Sequence, residues 1–126
     1  MPEADSAART VVILADDLIW STRLRDAVTA AGAIAQPARR LADFQRLLSA
    51  REAPGGLAII DLTARGYDGV DAIRVAAAAG ARVVAVGQHD DAALRSQALE
   101  AGAERVFTYR ALFENGPRTL AAWLAK

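Results

Sequence analysis

Carboxylate side chains follow two of the short aliphatic runs in this 126-residue chain. Asp16 and Asp17 come just after the first run, and Asp61 ends a later one. If these runs are parallel strands of one sheet, their carboxyl ends lie at the same edge and the three carboxylates converge there. Carboxylates are the ligands that Mg²⁺ prefers, and a carboxylate beside a bound metal can attack a phosphoryl donor. The pattern therefore predicts a magnesium site with phosphoryl chemistry.

Asp16 and Asp17 also have a second interpretation. An Asp placed between a strand and a helix commonly caps the helix, because its carboxylate accepts hydrogen bonds from the first free backbone amides. These two residues alone do not decide between a helix cap and a metal ligand.

Four aliphatic runs predict the strands that position the acids, at residues 11–14, 57–60, 83–86 and 106–107. Short runs rich in Val and Ile are typical of strands buried on both faces of a parallel sheet. Residues 33–35 before Pro37 suggest a weak edge strand. Between the runs, apolar residues recur at helical spacing and predict five helices, the last beginning at Pro117. This alternation predicts a doubly wound α/β fold: a five-stranded parallel sheet with helices on both faces.

Composition narrows the classes of function. Fifteen basic residues balance fifteen acidic ones, so we expect neither a nucleic acid nor a membrane as partner. The chain has no cysteine and one histidine, which excludes disulfides, thiolate metal sites and a histidine zinc cluster. No nucleotide-binding glycine loop or serine nucleophile motif is present, and we expect no enzyme activity. We expect a cytoplasmic protein with a flexible N-terminal tail over residues 1–9 and one domain over residues 10–126.

The segment after the third predicted strand, residues 61–70 (DLTARGYDGV), resembles the phospho-acceptor loop of CheY-like response-regulator receiver domains. In that family an Asp is followed by a Gly-x-Asp-Gly entry to the next helix. Residues 84–91 (VAVGQHDD) and 101–104 (AGAE) resemble the family's fourth strand and the approach to its fifth. The resemblance extends over nearly the whole chain and implies the flavodoxin-like receiver topology.

The resemblance also implies roles for individual residues. Asp61 would accept a phosphoryl group from a histidine kinase. Asp16, Asp17, Asp61 and the backbone carbonyl of Thr63 would hold Mg²⁺, which positions the donor and neutralises its charge.

The chain departs from the family at the positions that complete the reaction. Gly87 stands where the family has a Thr or Ser hydroxyl, and Val106 where it has the Tyr or Phe of its switch. Tyr109 and Arg110 stand where the family has a Lys and a cis-Pro. The only lysine is Lys126, so Arg110 is the one candidate for a substitute cation, although its rigid guanidinium differs from an ammonium.

These departures favour an atypical receiver-like domain that acts in phosphorelay or two-component signal transduction through protein contacts, with impaired phosphorylation. One alternative is a working phospho-acceptor that uses Asp61 and magnesium. Another is a pseudo-receiver that binds a small ligand at a rim formed by Asp61, Gly87 and Arg110. The expected partner is a histidine kinase, a downstream signalling protein or a second copy of the chain.

Leu112 and Phe113 fall in the predicted connection between the fifth strand and the last helix. They form either a partner surface or part of the interior.

Overall fold

The computed structural model describes residues 9–50 and 56–126. Residues 1–8 of the predicted N-terminal tail lie outside the described residues. Strands and helices alternate along the described chain. In order they are β1 (Thr10–Leu14), α1 (Leu18–Ala30), β2 (Ile34–Ala38), α2 (Leu41–Ser49), β3 (Leu57–Asp61), α3 (Gly69–Ala78), β4 (Arg82–Gly87), α4 (Ala92–Ala101), β5 (Arg105–Thr108) and α5 (Tyr109–Leu124).

The five strands form one parallel sheet in the order β2-β1-β3-β4-β5. This is the flavodoxin-like order, and it confirms the predicted doubly wound fold. The three central strands are almost completely buried on both faces, which explains why their sequences are continuous aliphatic runs. Their carboxyl ends lie together at one edge of the sheet, where the predicted acids follow.

Alternate residues of each central strand enter two separate cores. Val11 and Ile13 pack with α1 and α5 on one face of the sheet, whereas Val12 and Leu14 pack with α2, α3 and α4 on the other. All four side chains are fully buried. Each such burial contributes roughly 1.5–3 kcal/mol relative to an exposed side chain, so the sheet is a rigid platform for the loops at its edge.

The edge strand β2 is longer than the predicted residues 33–35, because it runs through Pro37 to Ala38. A proline has no amide proton to donate to a neighbouring strand. Pro37 is tolerated because, among the strands of residues 9–50 and 56–126, β2 is an edge strand that pairs with β1 alone.

The prediction that the last helix begins at Pro117 is correct only for the second half of this helix. The helix begins at Tyr109, immediately after β5, because the Thr108 hydroxyl accepts a hydrogen bond from the Ala111 amide at 3.0 Å and caps it. The backbone of Asn115 is non-helical, with φ −152° and ψ 37°, and this kink allows Pro117 to lie in the first turn of the second half. Leu112 and Phe113 therefore belong to the helix rather than to a connection.

None of the helices in the described part of the chain is long and apolar enough to cross a membrane.

The close contact between α3 and α4 is tested by a substitution at Gly102, with the same substitution at Gly32 as the control. Both have positive φ, +125° and +96°, which costs a residue with a Cβ about 1–2 kcal/mol. A Cβ on Gly102 would also lie 2.9 Å from the Cβ of Ala77 in α3, whereas a Cβ on Gly32 would meet nothing within 4 Å. We expect Gly102→Ala to lower the free energy of unfolding by about 1–3 kcal/mol more than Gly32→Ala, measured by urea denaturation. Equal losses would contradict this packing.

Candidate functional site

Asp61 is the last residue of β3 and lies at the centre of the carboxyl edge, with only 2% of its surface exposed. One of its carboxylate oxygens, Oδ1, accepts hydrogen bonds from the Thr63 amide at 3.1 Å and from the Thr63 hydroxyl at 3.2 Å. The same oxygen accepts a hydrogen bond from the hydroxyl of Tyr109. A buried carboxylate needs such partners, because an unsatisfied buried charge is very costly.

Tyr109 is held over Asp61 from two sides. It is the first residue of α5, and its hydroxyl contacts the Thr63 hydroxyl as well as the carboxylate. The Trp20 ring of α1 packs against its ring, with the centroids 4.6 Å apart. Burial raises the pKa of Tyr109 above its ordinary value, and the hydrogen bond to Asp61 raises it further. Tyr109 is therefore a neutral hydrogen-bond donor to the acid.

Tyr67 connects the loop after β3 to the ends of two strands. Its hydroxyl is 2.7 Å from the backbone carbonyl oxygen of Asp61 and 3.0 Å from that of Leu14, and donates towards both. Burial raises its pKa, and the charges of Asp61 and Asp16 add to the increase. The contact holds the loop that carries Thr63 against the carboxyl edge.

Asp16 has its carboxylate directed at the same loop. Its Oδ2 accepts hydrogen bonds from the amide of Arg65 at 3.1 Å and from the amide of Gly66 at 2.8 Å. A Cβ on Gly66 would lie 3.2 Å from this oxygen, so the absence of a side chain permits the close approach. Asp16 thus fixes the loop through two backbone amides.

Asp17 caps α1 as the second interpretation of this acidic pair expects. Its Oδ1 accepts a hydrogen bond from the Trp20 amide at 2.9 Å, and the residue is exposed. Thr63, predicted to contribute its carbonyl to a metal, contacts Asp61 through its amide and hydroxyl. Within residues 9–50 and 56–126, no three acidic or histidine side chains lie together as a metal site. One carboxylate oxygen of each acid already accepts hydrogen bonds: Oδ1 of Asp61, Oδ2 of Asp16 and Oδ1 of Asp17.

Arg110 does not reach Asp61. Its side chain is 84% exposed, and its Nε donates to Glu114 Oε2 at 3.1 Å, one helical turn further along α5. The prediction that Arg110 stands in for a cation at the acid therefore finds no support in this geometry.

Gly87 and Val106 are the two remaining departures from the receiver pattern, and they lie in β4 and β5 as predicted. Gly87 ends β4, and a Cβ placed on it would be 3.2 Å from the Leu62 side chain, so Leu62 takes up the space beside it. Val106 is half-buried in β5 and packs against the core that contains Ala85. The rim expected to hold a small ligand is thus filled by Leu62, and Arg110 points away from it.

Leu112 and Phe113 have different environments although they are neighbours. Leu112 is 6% exposed and packs in the core between the sheet and α1, which assigns it to the interior. Phe113 is 62% exposed, and the guanidinium of Arg23 lies 4.5 Å from the centre of its ring. Only Phe113 of the pair is available to a partner.

Sequence reasoning missed the role of Tyr109 as a partner of Asp61. The signal was present, because Tyr109 is the first residue after β5, at the place where the resemblance implies a lysine directed at the acid. Because the chain has no lysine at this place, the sequence suggests Arg110, but the side chain of Tyr109, one position earlier, is the one that contacts Asp61. Tyr67 was also missed, since a loop tyrosine has no distinctive pattern in sequence.

Comparison by sequence alone finds no relative: no family model matches the chain, and no curated protein matches it.

Comparison by structure finds receiver domains. The response regulator receiver protein from Burkholderia phymatum is 29% identical, with a TM-score of 0.72 over 93% of this chain and 95% of that chain. The receiver domain of the TMAO respiratory system response regulator TorR is 17% identical, with a TM-score of 0.78 over 93% and 97%. The beryllofluoride-activated NtrC4 receiver domain dimer is 17% identical, with a TM-score of 0.68 over 79% and 83%. The chain has the fold of CheY-like response-regulator receiver domains, and the resemblance drawn from its motifs is confirmed.

The raised pKa values of both tyrosines lead to a prediction for alkaline pH. Tyr67 and Tyr109 are the only tyrosines of the chain, and each has a folded pKa above the ordinary value of 10.0. Their neutral form therefore stabilises the fold below about pH 10, and this contribution is lost as the pH rises above it. We expect no tyrosinate absorbance from the folded protein between about pH 10 and 11, and a falling melting temperature over the same range. Normal titration near pH 10 in the folded state would contradict the site geometry.

The hydrogen bond between Tyr109 and Asp61 is tested by a double-mutant cycle with Tyr109→Phe and Asp61→Ala. We expect the single Tyr109→Phe change to lower the free energy of unfolding by about 1–3 kcal/mol, because a buried carboxylate loses a donor. In the Asp61→Ala background the same change has a much smaller cost. Additive effects in urea denaturation would mean that the two side chains are not bonded in solution.

Proposed function

We propose that this protein is a non-enzymatic signalling module of the receiver type, in two-component or phosphorelay signalling, that acts through protein contacts and accepts phosphoryl groups poorly or not at all. A cytoplasmic location belongs to the same proposal. The fold shared with receiver domains supports the signalling role. The observation that carries the impaired phosphorylation is the hydrogen bond from Tyr109 to Asp61.

That bond opposes phosphorylation because it engages the nucleophile. Oδ1 of Asp61 already accepts three hydrogen bonds, from the amide and hydroxyl of Thr63 and from Tyr109. Hydrogen bonding makes Oδ1 less able to attack phosphorus, and the Tyr109 hydroxyl lies beside the carboxylate that would carry the phosphoryl group. Transfer at Asp61 would first require Tyr109 to move away, against its packing on Trp20.

Charge compensation is also missing around Asp61. Phosphoryl transfer needs positive charge near the equatorial oxygens. The hydrogen-bond partners of Asp61 are all neutral, and it has no ion pair with a residue of the described ranges. Asp17 is engaged as a helix cap and Asp16 by two loop amides. Binding of magnesium by Asp16 and Asp17 would compete with these local contacts.

The alternatives receive less support from the geometry. A working phospho-acceptor would need Arg110 near Asp61, but Arg110 pairs with Glu114 in solvent. A ligand at the rim of Asp61, Gly87 and Arg110 would need the space that Leu62 fills.

Exposed apolar side chains on the neighbouring helices α1 and α5 supply a surface for a protein partner. Leu18 is 67% exposed, Ile19 64% and Phe113 62%, and Arg23 covers one side of the Phe113 ring. Large apolar side chains exposed on packed neighbouring helices are candidates for a protein interface. A kinase, a downstream protein or a second copy of the chain is the proposed occupant, and the NtrC4 receiver domain is an example of a dimer.

A small phosphodonor tests the impaired phosphorylation directly. The protein is incubated with acetyl phosphate and Mg²⁺ beside a matched Asp61→Asn variant, and both are weighed intact by mass spectrometry. We expect no difference between them, while a phospho-accepting receiver domain in the same solution shows that the donor is active. A gain of one phosphoryl mass in the wild type that is absent from Asp61→Asn would refute the proposal.

A further inference from the structure

A cleft opens beside the Asp61 site, on the side of the edge strand β2. Its volume is about 900 Å³, and it lies between the end of β2, the beginning of α2 and the loop after β3. Ligand sites of proteins commonly measure about 300–1,000 Å³, and open α/β sheets bind ligands at their carboxyl edge. Both the size and the position of this cleft suit a small molecule.

Three arginines line the cleft: Arg39, Arg40 and Arg46. Arg46 is paired with Asp43 through Nη2 and Oδ1 at 3.1 Å, so its charge is compensated. Arg39 donates to the backbone oxygen of Asp16 at 3.4 Å, and this contact leaves its charge in place. Arg39 and Arg40 form no ion pair with any residue of the two described ranges.

The acids that line the cleft do not cancel this positive charge. The carboxylate of Asp16 accepts hydrogen bonds from the loop amides of Arg65 and Gly66, which stabilise its charge in that position. The carboxylate of Asp43 faces Arg46. Asp16 keeps its negative charge, so the three arginines and two aspartates that line the cleft leave one net positive charge, which the exposed guanidinium groups of Arg39 and Arg40 present.

Guanidinium groups match phosphate in both charge and geometry. Their planar donors form paired hydrogen bonds to phosphate oxygens, and they stay charged at all physiological pH values. Pro37 and Leu47 supply an apolar wall to the same cleft. An occupant with an anionic phosphate end and a flat, less polar body would satisfy both parts.

From this cleft we infer a second site of the protein, separate from Asp61, that binds a small phosphate-bearing molecule of nucleotide size. Arg39 and Arg40 bind the phosphate, and Pro37 and Leu47 contact the body of the ligand. The site goes beyond the proposed signalling role and does not depend on phosphorylation of Asp61.

The test uses the full chain with adenosine 5′-monophosphate and with inorganic phosphate as probes. Binding is measured by calorimetry and by changes in the amide spectrum of ¹⁵N-labelled protein. We expect the nucleotide to bind more tightly than inorganic phosphate, with amide shifts concentrated at residues 37–47 and at Gly66. Equal affinity for the two probes would mean that the nucleoside part of the ligand contributes nothing to binding, and it would overturn the proposal.

Paired charge variants separate a site from general attraction. Arg39→Gln/Arg40→Gln removes the two arginines of the cleft, and Arg74→Gln/Arg118→Gln removes two exposed arginines from α3 and α5. We expect the first variant to weaken nucleotide binding about tenfold or more and the second to change it less than about twofold.

Three results would overturn the inference: no binding at millimolar nucleotide, equal weakening by both variants, or amide shifts that spread over the surface. Tighter binding of a single-stranded oligonucleotide than of the mononucleotide, at the same residues, would also overturn it in favour of a nucleic-acid partner. Phosphorylation of Asp61 is read by intact mass and nucleotide binding by calorimetry, so a failure of one proposal is distinguishable from a failure of the other.

Discussion

The burial of one carboxylate organises the carboxyl edge of this molecule. Asp61 ends a fully buried strand, and with 2% of its surface exposed it cannot rely on water for its hydrogen bonds. The protein must supply them, because an unpaired buried charge would cost more than a domain of this size can offset. Thr63 does so from the loop and Tyr109 from the start of α5, so the acid determines where both of these elements lie.

The neighbouring groups extend the same network. Tyr67 fixes the loop to the ends of β1 and β3, and Asp16 fixes it through two further amides. Trp20 supports Tyr109 from α1, which joins the acid to the helix that carries the exposed Leu18 and Ile19. A protein that binds the α1 and α5 surface would thus contact the helices that hold Tyr109 in place. Asp61 thus anchors the loop after β3 and the start of α5.

The sequence was sufficient to predict the fold. Buried parallel strands appear in it as continuous aliphatic runs, and the helices between them appear as apolar residues at helical spacing. It was less informative at the ends of elements. The start of the last helix was misplaced because Pro117 gave a stronger signal than the Thr108 cap, and the irregular backbone at Asn115 has no sequence signature. At the site, the residue types in the sequence identified Asp61 and Asp16. Which other side chains contact Asp61 depends on the directions of those side chains, which the sequence does not show. Asp17 and Arg110 turn away from Asp61, whereas Tyr109, noted only for the lysine it replaces, turns towards it.

If the proposed function is correct, the Tyr109 hydroxyl remains on Asp61 even when a phosphoryl mimic is offered. A crystal structure of the protein grown with Mg²⁺ and beryllofluoride, which imitates a carboxylate-bound phosphoryl group, tests this most directly. We predict that Asp61 carries no beryllofluoride and that Tyr109 still donates to its Oδ1. Beryllofluoride attached to Asp61, with magnesium held by Asp16 and Asp17 and with Tyr109 displaced, would contradict the account.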